Sequence, residues 1–150
     1  MAGHRYSVVG DQNVASPTDT VVTIEGVTTR RAWVYHFTLG SSATPADNAI
    51  LWEVRLCTAS GTATVFTPRA LDPGNPAALL TAGVNHTVEP TFTANSEVFS
   101  MALNQRAPWQ WWANPESELV IPATLDTGYG WEPTHTSFTG AVEVCAYYLE

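Results

Sequence analysis

The sequence predicts an all-β protein, an antiparallel β-sandwich of jelly-roll type. Apolar and polar residues alternate with a period of two over most of the chain, and Val, Thr and aromatic residues are frequent there. Short stretches rich in Gly, Pro, Asn and Asp separate the alternating segments, as turns do between strands. Only residues 75–83, "NPAALLTAG", have a helical composition, with Pro76 suited to a first helical position. We therefore expect at most one short helix, near 76–82.

The three longest alternating segments, 31–39, 49–57 and 141–149, each predict one apolar and one mixed face. The residues expected to share the apolar faces are Trp33, Tyr35, Phe37 and Leu39; Ile50, Trp52, Val54 and Leu56; and Val142, Val144, Ala146 and Tyr148. Weaker alternation predicts further strands at 5–9, 20–25, 62–67, 86–93, 96–103, 117–123 and 128–132. The pattern predicts the strands and their faces but not their order in a sheet.

Length and charge restrict the classes of protein. With 150 residues, 45% of them hydrophobic, the chain is expected to form a single domain over 1–150. Charged residues are only 13%, about half the usual share, lysine is absent and the net charge is −8. The acidic balance argues against a nucleic-acid partner, whose phosphates require clustered cations. A surface with so few charges is typical of a protein covered by neighbours.

No targeting signal is visible near the start of the chain. Residues 1–10 lack the apolar run of a signal peptide, and no segment has the length and hydrophobicity of a membrane span. We therefore expect production in a cytoplasm and no membrane partner. In that compartment Cys57 and Cys145 are expected to be free thiols.

The sequence contains no pattern that predicts catalysis or a cofactor. No histidine has the spacing to another His or Cys that metal sites use; the four are His4, His36, His86 and His135. Glu116 and Glu118 are two residues apart, and a glycosidase carboxylate pair is one reading of them. A solvated strand face is the interpretation we favour for this pair. The prediction is a protein that is not an enzyme and that needs neither metal nor cofactor.

The segment "WQWW" raises two alternatives. On a strand, Trp109 and Trp111 share one face and Trp112 has the opposite one. The rings are either a sugar-stacking platform, with Trp131 completing it, or two core residues and one interface residue. Because large aromatic residues are preferred at subunit interfaces, we favour the second alternative.

Several segments resemble the small structural virion proteins of tailed bacteriophages. They are "TTRR" before the first long strand, "WEVRLCTASGTATVFTPRALDPGNPAALLTAG", "ELVIPA" and the terminal "EVCAYYLE". The most specific part runs from Gly61 to Ala78, where the sequence predicts a strand followed by a proline-rich loop. We call this loop the excursion. We expect Asp72 to cap the turn that follows it.

The resemblance implies a capsid cement or decoration subunit, produced in a bacterial host cytoplasm and located on the capsid surface of the virion. Its implied partners are identical subunits, commonly in a homotrimer, and the major capsid protein whose shell it stabilises. No catalytic residue comes with this family. We expect the excursion and residues 106–116 to supply the contacts, with candidate interface residues Arg69, Asp72, Arg106, Trp109, Trp111, Trp112 and Trp131. The alternative function is a receptor-binding or carbohydrate-binding module of a fibre or tail.

Overall fold

The computed structural model describes residues 3–15, 19–134 and 138–150. Within these ranges twelve strands form two antiparallel sheets, and no helix is present that could cross a membrane. The strands are β1 (Arg5–Val14), β2 (Val22–Glu25), β3 (Ala32–Ser41), β4 (Ala49–Ala59), β5 (Thr62–Phe66), β6 (Arg69–Ala70), β7 (Thr81–Val88), β8 (Thr91–Asn104), β9 (Trp109–Trp112), β10 (Leu119–Ile121), β11 (Gly128–Pro133) and β12 (Gly140–Leu149).

The strand order is that of a jelly roll. The first sheet has the order β10-β3-β12-β1-β6, with β9 also paired to β3, and the second has the order β5-β7-β2-β11-β4-β8. Strands β1 to β4 therefore alternate between the two sheets, and the last strand, β12, returns to pair with the first. The set β1, β12, β3 and β9 faces the set β2, β11, β4 and β8, which are the two four-stranded layers of a jelly roll. The predicted all-β sandwich is confirmed.

One hydrophobic core lies between the sheets. Its largest fully buried side chains are Trp52, Trp131, Tyr6, Tyr148 and Phe37. The predicted apolar face of 141–149 is buried as expected, and so is that of 49–57 as far as Val54. Leu56, beyond that point, is only half-buried.

The predicted face of residues 31–39 is wrong at its centre. Val34 and Phe37 are both buried although they differ by an odd number of residues, so the alternation changes phase between them. In the pairing with β12, His36 lies opposite Tyr147 and Val34 opposite Tyr148, which leaves Tyr35 as an extra residue. This β-bulge, a local irregularity that the period-two pattern does not encode, places Trp33 and Tyr35 on the outer face.

The chain between β4 and β8, which contains the excursion, closes one side of the sandwich. Strand β6 joins the first sheet beside β1, whereas β5 and β7 join the second sheet. The Asp72 carboxylate accepts a hydrogen bond from the Gly74 N–H at 2.9 Å, which confirms the predicted cap.

Residues 75–83 form no helix despite their composition, and β7 begins within them. The Glu150 carboxylate accepts hydrogen bonds from the N–H groups of Leu79 and Leu80 at 2.8 and 3.2 Å. The Tyr6 hydroxyl donates to the Pro76 carbonyl at 3.0 Å. These long-range bonds engage the backbone groups that a helix would use internally.

Candidate functional site: an aromatic groove

An open groove of about 1220 Å³ lies on the outer face of the first sheet. We call it the aromatic groove, and the residues of its lining used below are Trp33, Tyr35, Trp112, Arg5, Arg30, Glu116 and Glu118. The β-bulge in β3 contributes directly, because it turns Trp33 and Tyr35 away from the core. The groove therefore depends on a feature that sequence alternation alone does not predict.

Beside the groove three rings form a stacked row. The Trp112 and His36 rings are 3.7 Å apart between centroids and nearly parallel, at 10°. His36 and Tyr147 follow at 4.9 Å and 13°. The register explains the row, since Trp112 on β9 and Tyr147 on β12 both lie directly opposite His36 on β3. Cross-strand neighbours on one face are close enough to stack.

The row is electrically neutral at pH 7. Burial lowers the pKa of His36 below its usual value of 6.5, so the imidazole is uncharged. A hydrogen bond with Cys145 is the largest cause that raises the pKa of Tyr147 to about 12. Burial also raises the pKa of Tyr35, although the nearby Arg5 opposes this. Arginine and glutamate side chains bring charged groups into the groove.

The carboxylates reach the groove from a turn rather than a strand. Glu116 has a left-handed backbone, with φ of 68°, and Glu118 directly precedes β10. The predicted strand face is wrong for this pair, because both residues precede β10. Glu116 is exposed and Glu118 is half-buried, and both line the groove. Carboxylates and guanidinium groups at the rim of an aromatic surface supply directional hydrogen bonds to a bound molecule.

The tryptophans of β9 are divided between two environments, as predicted. Trp109 and Trp111 face inward and pack on the core, with ring distances of 5.1 Å from Phe99 to Trp109 and from Phe37 to Trp111. Trp112 faces outward and is 58% exposed. Of the three, only Trp112 lies in the aromatic groove.

Trp131 lies in the core, and its prediction as an interface or sugar-binding residue is wrong. Its side chain is 0% exposed and meets the Phe37 ring edge-on at 5.9 Å. It belongs to β11, which has β2 on one side and β4 on the other, so an inward-facing residue there is covered on all sides.

The remaining predicted residues are exposed but are not gathered at one place. Arg69 and Asp72 belong to the excursion, whose Leu71 lines the aromatic groove. Arg106 follows β8, and its Nε donates to the Pro45 carbonyl at 3.4 Å, beyond the distant end of β3. The structure therefore places Trp112 and the excursion beside the groove and Arg106 away from it.

Of the other aromatic residues on this surface, alternation assigned Trp33 and Tyr35 to the core and gave His36 and Tyr147 no binding role. Trp33, Tyr35, His36 and Tyr147 come from "AWVYHF" and "AYYLE", where aromatic density was the available signal. In the part of the chain that the structure describes, no group of three His, Cys, Asp or Glu side chains is arranged to hold a metal ion. His135 lies outside the described residues.

The chain matches no protein-family model, and a comparison with curated proteins finds no significant match.

Proposed function

We propose that this protein is a structural protein of a tailed-bacteriophage virion, a cement or decoration subunit that binds the capsid shell and stabilises it without chemistry. The family resemblance of the sequence supports the virion assignment. The observation that carries the binding role is the exposed indole of Trp112, which stacks on His36 at the edge of an open groove. Exposed aromatic residues of this kind mark surfaces that bind other molecules.

Docking through this surface has a simple physical basis. A partner side chain that covers the Trp112 indole removes apolar area from water, which is the main favourable term in association. Because the Trp112 indole already stacks on His36, binding should cost it little side-chain entropy. The arginines and glutamates of the groove then orient the partner through charge-assisted hydrogen bonds. A shell offers many copies of the partner, so modest single contacts add through avidity.

The test uses particles that lack the protein, to which purified chain is added back. Trp112→Ala is compared with Leu125→Ala, a matched control because Leu125 is 57% exposed and lies outside the groove. Loss of a central interface Trp costs about 2–4 kcal/mol, or roughly 30-fold to 1000-fold in affinity. We expect the Trp112 variant to give low occupancy and a lower temperature of DNA release, and the Leu125 variant to behave as the unchanged protein.

Two results would contradict the proposal. The first is that particles without the protein are as heat-stable as complete ones. The second is that the protein maps to the tail tip rather than the head. Full occupancy by the Trp112 variant would reject the groove as the docking surface.

A second candidate function is carbohydrate binding, in a receptor-binding module of a fibre or tail. The observation that favours it is the proximity of Glu116 and Glu118 to an exposed indole in one groove. Indoles stack on the apolar face of a sugar ring while carboxylates accept bonds from its hydroxyls. A glycan array with the free protein, followed by titration of tryptophan fluorescence, separates the candidates. Saturable glycan binding that Trp112→Ala abolishes supports this second function.

A further inference from the structure

The two lateral sides of the sandwich differ. On one side the excursion that contains β6 passes from the second sheet to the first and closes the gap between them. On the other side β8 is the last strand of the second sheet. It pairs with β4 along one edge, and no strand in the described ranges pairs with its other edge. A strand paired on one side presents outward-pointing N–H and C=O groups to any strand that arrives.

The free edge of β8 lacks the features that usually prevent strand addition. Residues 99–104, "FSMALN", contain no charge and no proline, and they pair with β4 in continuous register. The three register irregularities of β8 all lie before them, the nearest at Val98. The uninterrupted segment is about 20 Å long. Natural proteins often protect such edges with lysine, and this chain has none.

Apolar side chains lie just beneath this edge. Phe99 and Leu103 are only partly buried although they pack on the core. Trp109 and Trp111 of the neighbouring β9 are likewise partly buried, and Trp109 stacks on Phe99. A strand added to β8 would cover apolar surface that the chain leaves half-open.

We infer that this edge is a self-association site, at which β8 of a second copy adds antiparallel to β8 across a two-fold axis. The two second sheets then become one continuous sheet. The inference goes beyond the proposed function and uses β8, none of whose residues lines the aromatic groove.

The residues of β8 explain why a second copy fits. Pairing centred on Ala102 places Met101 opposite Leu103 and Ser100 opposite Asn104, with the small exposed Ala102 beside its own counterpart. Opposed residues then share a face, as an extended sheet requires. The charged residues nearest this segment, Glu97 and Arg106, lie outside it, one before the irregularity at Val98 and the other after the end of β8. Two chains of net charge −8 thus approach along a strand where no like charges face each other.

The first test is the mass of the protein by sedimentation velocity over a range of concentrations. We expect pairs of chains at high concentration, with tighter association when salt screens the net charge. Ala102→Lys places like charges at the two-fold axis and should weaken association at least tenfold. Val65→Lys is the matched control, because Val65 is 81% exposed on β5, the opposite edge of the same sheet. Equal thermal unfolding of both variants shows that the fold is retained.

A covalent test does not depend on the strength of association. Residues that oppose themselves at the centre of an antiparallel pair are close enough for a disulfide. In a Cys145→Ser background, Ala102→Cys should give disulfide-linked pairs under mild oxidation, and Val65→Cys should not. Monomers at all concentrations overturn the inference, as does equal weakening by both lysine variants. A mass of three chains also overturns it and favours the threefold assembly that the family resemblance implies.

Discussion

Arg55 and Glu132 form an ion pair on the outer face of the second sheet, with 2.7 Å between Nη1 and Oε1. The Phe92 ring lies 4.6 Å from the guanidinium carbon, and Glu97 is 3.3 Å from Nε. Glu132 is 1% exposed. Burial raises its pKa from 4.5 to about 7, because the loss of hydration outweighs the stabilising effect of Arg55. The free energy of unfolding should therefore depend on pH through the ionisation of Glu132.

The first prediction concerns Glu132→Gln, which keeps an acceptor for Arg55 but cannot ionise. The folded protein retains a proton on Glu132 that the unfolded chain releases above about pH 4.5. The stability due to this group is complete below that pH and is lost as the pH rises through about 7. Relative to the variant, the unchanged protein should lose roughly 2–3 kcal/mol between pH 5 and pH 8. Urea unfolding at both pH values measures the difference.

Glu53→Gln is the matched control for this prediction. Glu53 lies directly opposite Glu132 in the pairing of β4 with β11, but it is more exposed. Its replacement removes one of the weaker causes that raise the pKa of Glu132, so the loss of stability with rising pH should persist and only its midpoint should move to lower pH. A Glu132→Gln variant with the same pH dependence as the unchanged protein would show that Glu132 ionises normally in the fold.

The second prediction tests the β-bulge in β3. Phe37 is 0% exposed, so Phe37→Ala should cost about 3–5 kcal/mol of unfolding free energy. Tyr35 lies on the outer face, and Tyr35→Ala should cost about 1 kcal/mol or less. Chemical denaturation of the two variants gives both values. Similar costs would mean that the two rings share one face, as uninterrupted alternation requires.

The third prediction concerns the two thiols. Cys57 is buried, and burial raises its pKa to about 12, so it should not react with a thiol reagent in the folded protein at pH 8. Cys145 is only partly buried and should react slowly, although burial raises its pKa as well. Unfolding in denaturant should release two reactive thiols per chain. One or none after unfolding, or rapid reaction of Cys57 before it, would contradict this prediction.

The fourth prediction separates the stability and binding roles of the β9 tryptophans. Trp111→Ala removes a ring that stacks on Phe37 and should cost about 2–4 kcal/mol of unfolding free energy. Trp112→Ala removes an exposed ring that stacks on His36, and should cost about 1 kcal/mol. Thermal unfolding of both variants is the measurement. A Trp112 variant as unstable as the Trp111 variant would indicate a structural role for that indole.

The architecture followed from the sequence because alternation reports directly on burial. A residue between two sheets must be apolar and its neighbour along the strand need not be, so 49–57 and 141–149 predict their buried faces well. Alternation also predicts that Trp109 and Trp111 share one face of their strand and that Trp112 lies on the other. The Asp72 cap was also predictable, because an Asp side chain bonds to its own backbone two residues later.

Which residues form the aromatic groove, by contrast, depends on the tertiary structure. One extra residue in β3 reverses which aromatic side chains face outward, and alternation gives no warning of it. Trp131 and Trp112 are the same residue type, yet their environments differ. Trp131 faces inward on β11, which lies between two strands, whereas Trp112 lies on an outer face that nothing in the described ranges covers. A sequence determines which face of a strand is apolar. Which strands cover that face, and which edge stays open, depends on pairings between residues that are distant in the chain.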